Sequence, residues 1–129
     1  MVDELRVFLI EDSELLRSRL IETLHEVEGV RVVGHADDES TAIAGLADLP
    51  SDVAIVDLEL RSGSGIGVLH ALAREPARFH NTAAVVLTTH SQPAVRRTCE
   101  RLGARAFFDK AMQMDDLIDF VTAARSASG

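Results

Sequence analysis

A single cysteine, Cys99, stands among 129 residues. One thiol cannot close an internal disulfide, so a disulfide-stapled scaffold is excluded and a reducing compartment is expected. Cys99 itself reads as a small buried hydrophobe. Apolar runs are short as well. None approaches the roughly 18–20 residues of a membrane span. The run at residues 7–10 is too brief for a secretion signal and follows the acidic Asp3 and Glu4 where a signal would be basic. Positive charge is scarce: 13 basic residues against 21 acidic ones give a formal charge of −8. Nucleic-acid binding needs a basic face that displaces counterions, so direct contact with nucleic acid is not expected. Lysine is scarcest of all, since every basic residue except Lys110 is arginine. Also absent are a CxxC pair, a Ser-His-Asp order, a Gly-x-x-x-x-Gly-Lys phosphate loop and metal-ligand spacing among the five histidines. The stretch Gly63-Ser64-Gly65 reads as a flexible loop leading into a helix.

What is there suits one folded domain. The chain is 47% hydrophobic and 26% charged, which excludes disorder and collagen, and its length is that of a single domain. Short β-branched runs recur at residues 5–10, 31–36, 53–57, 83–88 and 104–108. Between them lie segments of helical period. Ser13 is a good N-cap for a first helix with Leu16, Leu20, Leu24 and Val27 on one face, ended by Gly29. A second helix runs from about Glu39 to Leu49 before Pro50, and a third from about Gly65 to Arg74 before Pro76. The fourth carries Val95, Cys99 and Leu102 and closes at Gly103; the fifth carries Leu117, Val121 and Ala124. Five βα units with right-handed crossovers predict a doubly wound α/β fold with a five-stranded parallel sheet in the flavodoxin-like order 2-1-3-4-5. Such sheets bind ligands at the carboxyl ends of strands 1 and 3, where the winding reverses.

Those ends carry acids. Strand 1 ends in Glu11-Asp12 and strand 3 in Asp57. Three carboxylates in one crevice repel, and a cation among them relieves the repulsion. Hard oxygen donors select Mg²⁺, with Mn²⁺ acceptable. Strand 4 ends in Thr88-Thr89 and strand 5 in Asp109-Lys110. A hydroxyl and an ammonium facing that pocket can hold two oxygens of a phosphoryl group carried on Asp57.

On these residues the chain, from about Glu4 to Arg125, resembles the receiver domain of bacterial two-component response regulators, of the stand-alone, chemotaxis-regulator-like kind. Residues 126–129 then form a short polar tail. The resemblance implies that Glu11 and Asp12 are the acidic pair, Asp57 the phosphoacceptor, Thr88 the switch hydroxyl, Lys110 the site lysine and Phe107 the aromatic switch residue. Thr88 is preferred to Thr89 because its spacing to Lys110 fits the family. The metal then also takes the backbone carbonyl of Glu59. Departures are Glu11 where Asp is commoner, Arg61 near a frequent Pro, and Ala111 where Pro often follows the lysine. Without that Pro, a trans Lys110–Ala111 bond and a shifted loop are expected. Glu59 and His90 stand two residues past Asp57 and Thr88, and are expected to tune the lifetime of the phosphoryl group by gating water.

The resemblance also implies a cytoplasmic switch. A histidine kinase or phosphotransfer protein donates the phosphoryl group, and the face made by the fourth helix, fifth strand and fifth helix engages a downstream protein. Arg96, Arg97 and Arg101 on the fourth helix and Asp115, Asp116 and Asp119 on the fifth are complementary sets that a two-fold homodimer could pair. Two other classes stay open: a small metal-dependent phosphohydrolase, and a protein-binding module that works without phosphorylation. The first usually puts its nucleophile on strand 1, whereas here the candidate is on strand 3.

Overall fold

A computed structural model describes residues 4–128. Five strands form one parallel sheet in the order β2-β1-β3-β4-β5. They are β1 (Leu5–Ile10), β2 (Val30–Ala36), β3 (Val53–Val56), β4 (Ala83–Thr88) and β5 (Ala106–Asp109). The intervening helices are α1 (Glu14–His25), α2 (Glu39–Asp48), α3 (Gly65–Arg74), α4 (Pro93–Arg101) and α5 (Met114–Ser128), with a 3₁₀ turn at Pro76–Phe79. This is the doubly wound architecture that the alternation of runs predicts.

The strands are apolar on both sides because both faces of the sheet are covered. Period-two alternation still sorts them. Phe8, Ile10, Ala54, Val56, Ala84 and Val86 face a core closed by α2, α3 and α4, through residues such as Leu46, Leu69 and Cys99. Leu5, Val7, Leu9, Val53, Ile55, Val85 and Leu87 face the opposite core, closed by α1 and α5 through Leu20, Leu24, Leu117 and Val121. Fully burying one such side chain stabilises the fold by about 1.5–3 kcal/mol, so these two layers fix the sheet's register. Cys99 is buried, as its composition suggests, and burial pushes its thiol pKa up.

Helix starts follow side-chain caps. The Ser13 hydroxyl accepts from the Leu16 N–H, the Asp38 carboxylate from Thr41 and the Ser64 hydroxyl from Ile66. Several strand ends shift by one residue, and three boundaries differ by more or in kind. The first helix ends at His25, capped by Glu26, and Gly29 instead takes a left-handed turn (φ 79°) into β2. The fifth strand begins at Ala106 rather than residue 104, because residues 102–105 make the turn out of α4. The last helix continues through Ser128, so residues 126–128 are helical rather than a tail, and Gly129 lies outside the described residues. Among the described residues no helix is long and apolar enough to cross a membrane.

Candidate functional site

Pairing carries the strand ends to one edge. Ile10 stands beside Val56 and Val56 beside Val86. The ladder runs one residue further: the Asp57 N–H donates to Ile10 O (3.0 Å), Glu11 to Ala36 O (3.0 Å) and Lys110 to Thr88 O (2.9 Å). These bonds set Glu11, Asp57, Thr88 and Lys110 on neighbouring strand ends. One oxygen from each of Glu11, Asp12 and Asp57 lies within 4.8 Å of the others. Glu11 and Asp57 are buried, while Asp12 is exposed at the rim.

Lys110 bridges the two buried acids. Its Nζ lies 2.7 Å from Glu11 Oε1 and donates to Asp57 Oδ2 at 2.8 Å. Burial raises the Glu11 pKa, against the pull of the Lys110 ammonium and the Ser13 N–H; the neighbouring Asp57 charge adds to the rise. Burial works to lower the Lys110 pKa, but the Asp57 and Glu11 carboxylates outweigh it and hold the ammonium above its ordinary range. The other Glu11 oxygen accepts from Ser13 N (2.9 Å), and the Arg17 guanidinium donates to the Glu11 carbonyl (2.9 Å). Arg17 is a contributor that periodicity alone does not reveal, since it sits one turn into α1 among surface positions.

The donor set fits a hard divalent cation. Three carboxylates and one ammonium leave a formal −2 in the crevice. Glu11 Oε1 is buried and, although the ammonium is near, has no aligned hydrogen bond. The one ammonium beside it is shared with Asp57, so a divalent cation would supply charge that the three carboxylates still lack.

The hydroxyl and the rim residues lie around this cluster. Thr88 is buried and Thr89 exposed. The Thr88 Oγ1 accepts from the His90 N–H (3.1 Å), and the Glu59 N–H donates to Asp57 Oδ1 (3.3 Å). The side chains two residues past each strand end also meet: His90 Nε2 hydrogen-bonds Glu59 Oε1, with Glu59 exposed and His90 half-buried. Sequence reasoning singles out both residues but not their contact. Phe107 is buried at 5% exposure, and the Arg96 guanidinium lies 5.6 Å from its ring centroid. The Lys110–Ala111 bond is trans, like every described peptide bond. The loop after Lys110 is organised instead by Asp109, whose carboxylate accepts from Ala111 N (2.8 Å) and Met112 N (3.2 Å). Hydrogen bonds from the Ser91 hydroxyl and the Ala111 N–H hold the Asp109 pKa below its ordinary value.

The loop between β3 and α3 is not free, contrary to the reading of Gly63-Ser64-Gly65 as flexible. Glu59 bridges Ser64 across it, Gly65 N–H donates to Leu58 O (3.0 Å), and a side chain of α2 pins its far end.

Comparison with known proteins agrees with this geometry. The family described as "Response regulator receiver domain" matches residues 7–122. The transcriptional regulatory protein PdtaR of Mycobacterium tuberculosis is 35% identical over 122 residues, covering 94% of this chain and 57% of that protein. The uncharacterized transcriptional regulatory protein YvfU of Bacillus subtilis is 28% identical over 117 residues, covering 91% of this chain and 57% of the relative. The chain thus spans little more than half the length of these curated relatives. The signal receiver domain of the response regulator NarL from Mycobacterium tuberculosis superposes with a TM-score of 0.84 at 24% identity, covering 96% of this chain and 98% of that one. The response regulator domain of Thermotoga maritima CheB gives 0.81 at 21%, covering 97% and 96%. At these identities the two structures speak for the fold.

Proposed function

This chain belongs to the response regulator receiver domain family, and from that premise we propose that it is a phosphorylation-dependent switch with Asp57 as phosphoacceptor and residues 4–125 as the receiver unit. One observation carries the proposal: the Lys110 ammonium bridges Glu11 and Asp57 in a three-carboxylate cluster at the carboxyl edge of the sheet. A nucleophilic carboxylate, a fixed point charge and a cation-ready pair of acids are what phosphoryl transfer to Asp requires.

The donor is a phosphohistidine on a histidine kinase or phosphotransfer protein. Its N–P bond breaks as a bond forms between phosphorus and an Asp57 carboxylate oxygen, and the leaving imidazole keeps the electron pair. Glu11, Asp12, Asp57 and the Glu59 carbonyl would hold Mg²⁺, or Mn²⁺ in its place, which when bound neutralises charge on the phosphoryl oxygens. Lys110 then gives up its carboxylate contacts to pair with one phosphoryl oxygen, and the Thr88 hydroxyl takes another.

Movement of Thr88 toward the phosphoryl group is the first mechanical step. Phe107 lies inside the core, so its part in the switch is a change of packing there. Phosphorylation instead favours the population in which Thr88 has moved and Phe107 packs behind it, altering the α4–β5–α5 surface read by a downstream protein. Arg96, Arg97 and Arg101 against Asp115, Asp116 and Asp119 make that surface suitable for a homodimer of the active form. Glu59 and His90, joined over the mouth of the site, slow the approach of hydrolytic water and so set the lifetime of the phosphoryl group. The setting is cytoplasmic, where a kinase and ATP are at hand.

The test is incubation with acetyl phosphate, with and without Mg²⁺, followed by intact-mass measurement. One phosphate should be gained by the wild type with Mg²⁺ and none by Asp57→Asn. Equal labelling of the variant, or none of the wild type, overturns the assignment of Asp57. Turnover of a generic phosphate ester would point instead to a phosphohydrolase.

A further inference from the structure

We propose that Glu39, on the first turn of α2, is a positioning residue for the cation site, acting through the loop that follows Asp57. The inference rests on the reading of Glu11, Asp12, Asp57 and the Glu59 carbonyl as cation ligands. Three of those ligands sit on or next to strand ends and are placed by the sheet. The Glu59 carbonyl is not, because it belongs to the six-residue stretch 59–64 between β3 and α3. Something must hold that stretch in one conformation if its carbonyl is to serve as a ligand.

The contacts that hold it come from the start of α2. The Glu39 carboxylate accepts from the Ser64 N–H at 2.9 Å, and Ser64 is itself bridged to Glu59 across the loop. The Glu39 N–H donates to Ser62 O at 3.0 Å, and the Arg61 N–H donates to Asp37 O at 3.2 Å. An exposed Arg61–Asp37 ion pair at 3.2 Å adds little by itself, as surface pairs do. The chain of connection is therefore short: Glu39 carboxylate, Ser64 amide, Glu59 backbone.

Two glycines are shaped around this carboxylate. A Cβ on Gly67 would lie 2.2 Å from Glu39 Oε1, and one on Gly63 would lie 2.5 Å from Glu39 Cβ. Gly63 also has φ 77°, a left-handed backbone that side chains rarely adopt. Gly67 has no such excuse. It sits inside α3, where glycine is ordinarily a liability relative to alanine. What the missing side chain allows there is the approach of Glu39. The geometry thus gives the glycine-rich stretch a use, as the seat of a side chain that fixes the loop.

The test compares the folded wild type with Glu39→Ala, Glu39→Gln and Gly67→Ala. Mg²⁺ affinity is measured by calorimetric titration, and exchange of the Ser64 amide by NMR without metal. Glu39→Ala should speed Ser64 exchange and weaken Mg²⁺ about 10-fold, the lower end of the effect of groups that orient metal ligands. Glu39→Gln keeps an acceptor oxygen at the same reach and should restore both readouts. Gly67→Ala should weaken Mg²⁺ as Glu39→Ala does, even though the same exchange elsewhere in a helix stabilises the fold. Should Glu39→Ala bind Mg²⁺ like the wild type, the positioning role is overturned while the cation site stands. Failure of Glu39→Gln to restore affinity also overturns it, since the carboxylate would then act through its charge. A wild type that binds no Mg²⁺ removes the cation site and this role together.

Discussion

Lys110→Met is the sharpest perturbation of the carboxylate pocket. The side chain is 15% exposed, and the Glu11 and Asp57 side chains it bridges are 2% and 5% exposed. Removing one partner of a buried ion pair costs about 3–5 kcal/mol when the charge left behind has no remedy. Here a remedy exists, because Glu11 can take up a proton, and burial already raises its pKa. Protonating a carboxyl of ordinary pKa 4.5 at pH 7 spans two and a half pH units. At about 1.36 kcal/mol per unit the ceiling on the loss is about 3.4 kcal/mol. By the average unfolding entropy per residue, each kcal/mol shifts the melting temperature of a domain this size by about 4 °C, so the variant should melt up to about 13 °C lower in EDTA at pH 7.

The sign of the pH dependence follows. A carboxyl whose folded pKa is raised binds more protons folded than unfolded, so stability falls as pH rises from 4.5 toward the folded value. Lys110→Met raises that folded value further and widens the window. The gap between variant and wild type should therefore close to less than about 1 kcal/mol at pH 5, half a unit above the ordinary pKa. Mg²⁺ should narrow the gap at pH 7, because it binds the oxygens that the ammonium had occupied; at a hundred times its dissociation constant a ligand stabilises by about 2.7 kcal/mol. The assay is thermal and urea unfolding followed by circular dichroism at pH 5 and 7, in EDTA and in MgCl₂. A variant as stable as the wild type at pH 7 in EDTA, or a gap that is the same at both pH values, refutes the electrostatic account of the pocket.

Other expectations follow from single contacts. Gly65→Ala puts a Cβ 2.1 Å from the Asp57 carbonyl oxygen, a backbone atom that cannot swing away, so it should cost about 1–3 kcal/mol by urea unfolding and slow labelling by acetyl phosphate. If Glu59 and His90 gate water together, Glu59→Ala, His90→Ala and the double variant should all speed loss of the phosphoryl group by similar factors; independent, multiplying effects would show that their contact does not matter. The Asp38 carboxylate is held below its ordinary pKa by hydrogen bonds from Thr41, so its share of stability is present above pH 3.8 and is lost as pH falls through the lower folded value. Asp38→Asn should flatten the acid limb of the stability curve in that window, and an unchanged limb would place the acid sensitivity elsewhere.

The order of elements and the edge that bears the site were legible because each rests on one local signal. β1, β4 and α3 begin and end where apolar runs, Ser64 and Pro76 place them. Right-handed crossover then leaves little choice of sheet order. Gly29 misled because glycine marks any left-handed turn, and two non-helical residues, Val27 and Glu28, separate the Glu26 cap from it. The small polar residues of the C-terminus misled in the other direction. Alanine and serine cost a helix little, so composition does not say where α5 stops.

The site divides along the same line. Glu11, Asp12, Asp57, Thr88 and Lys110 could be named from sequence because a parallel sheet delivers its strand ends to one edge whatever the loops do. Glu39, Arg17 and the meeting of Glu59 with His90 could not. Each joins elements through the path of a loop, and loop paths depend on contacts between residues far apart in sequence, such as the 25 residues between Glu39 and Ser64 or the 31 between Glu59 and His90. Gly67 is where that hidden information surfaces. Helix propensity argues against glycine inside α3, and no turn or cap calls for it there. A residue that breaks the local rule marks a constraint imposed from elsewhere, here a carboxylate on the neighbouring helix that sits where a methyl group would be and would have to swing away to admit one.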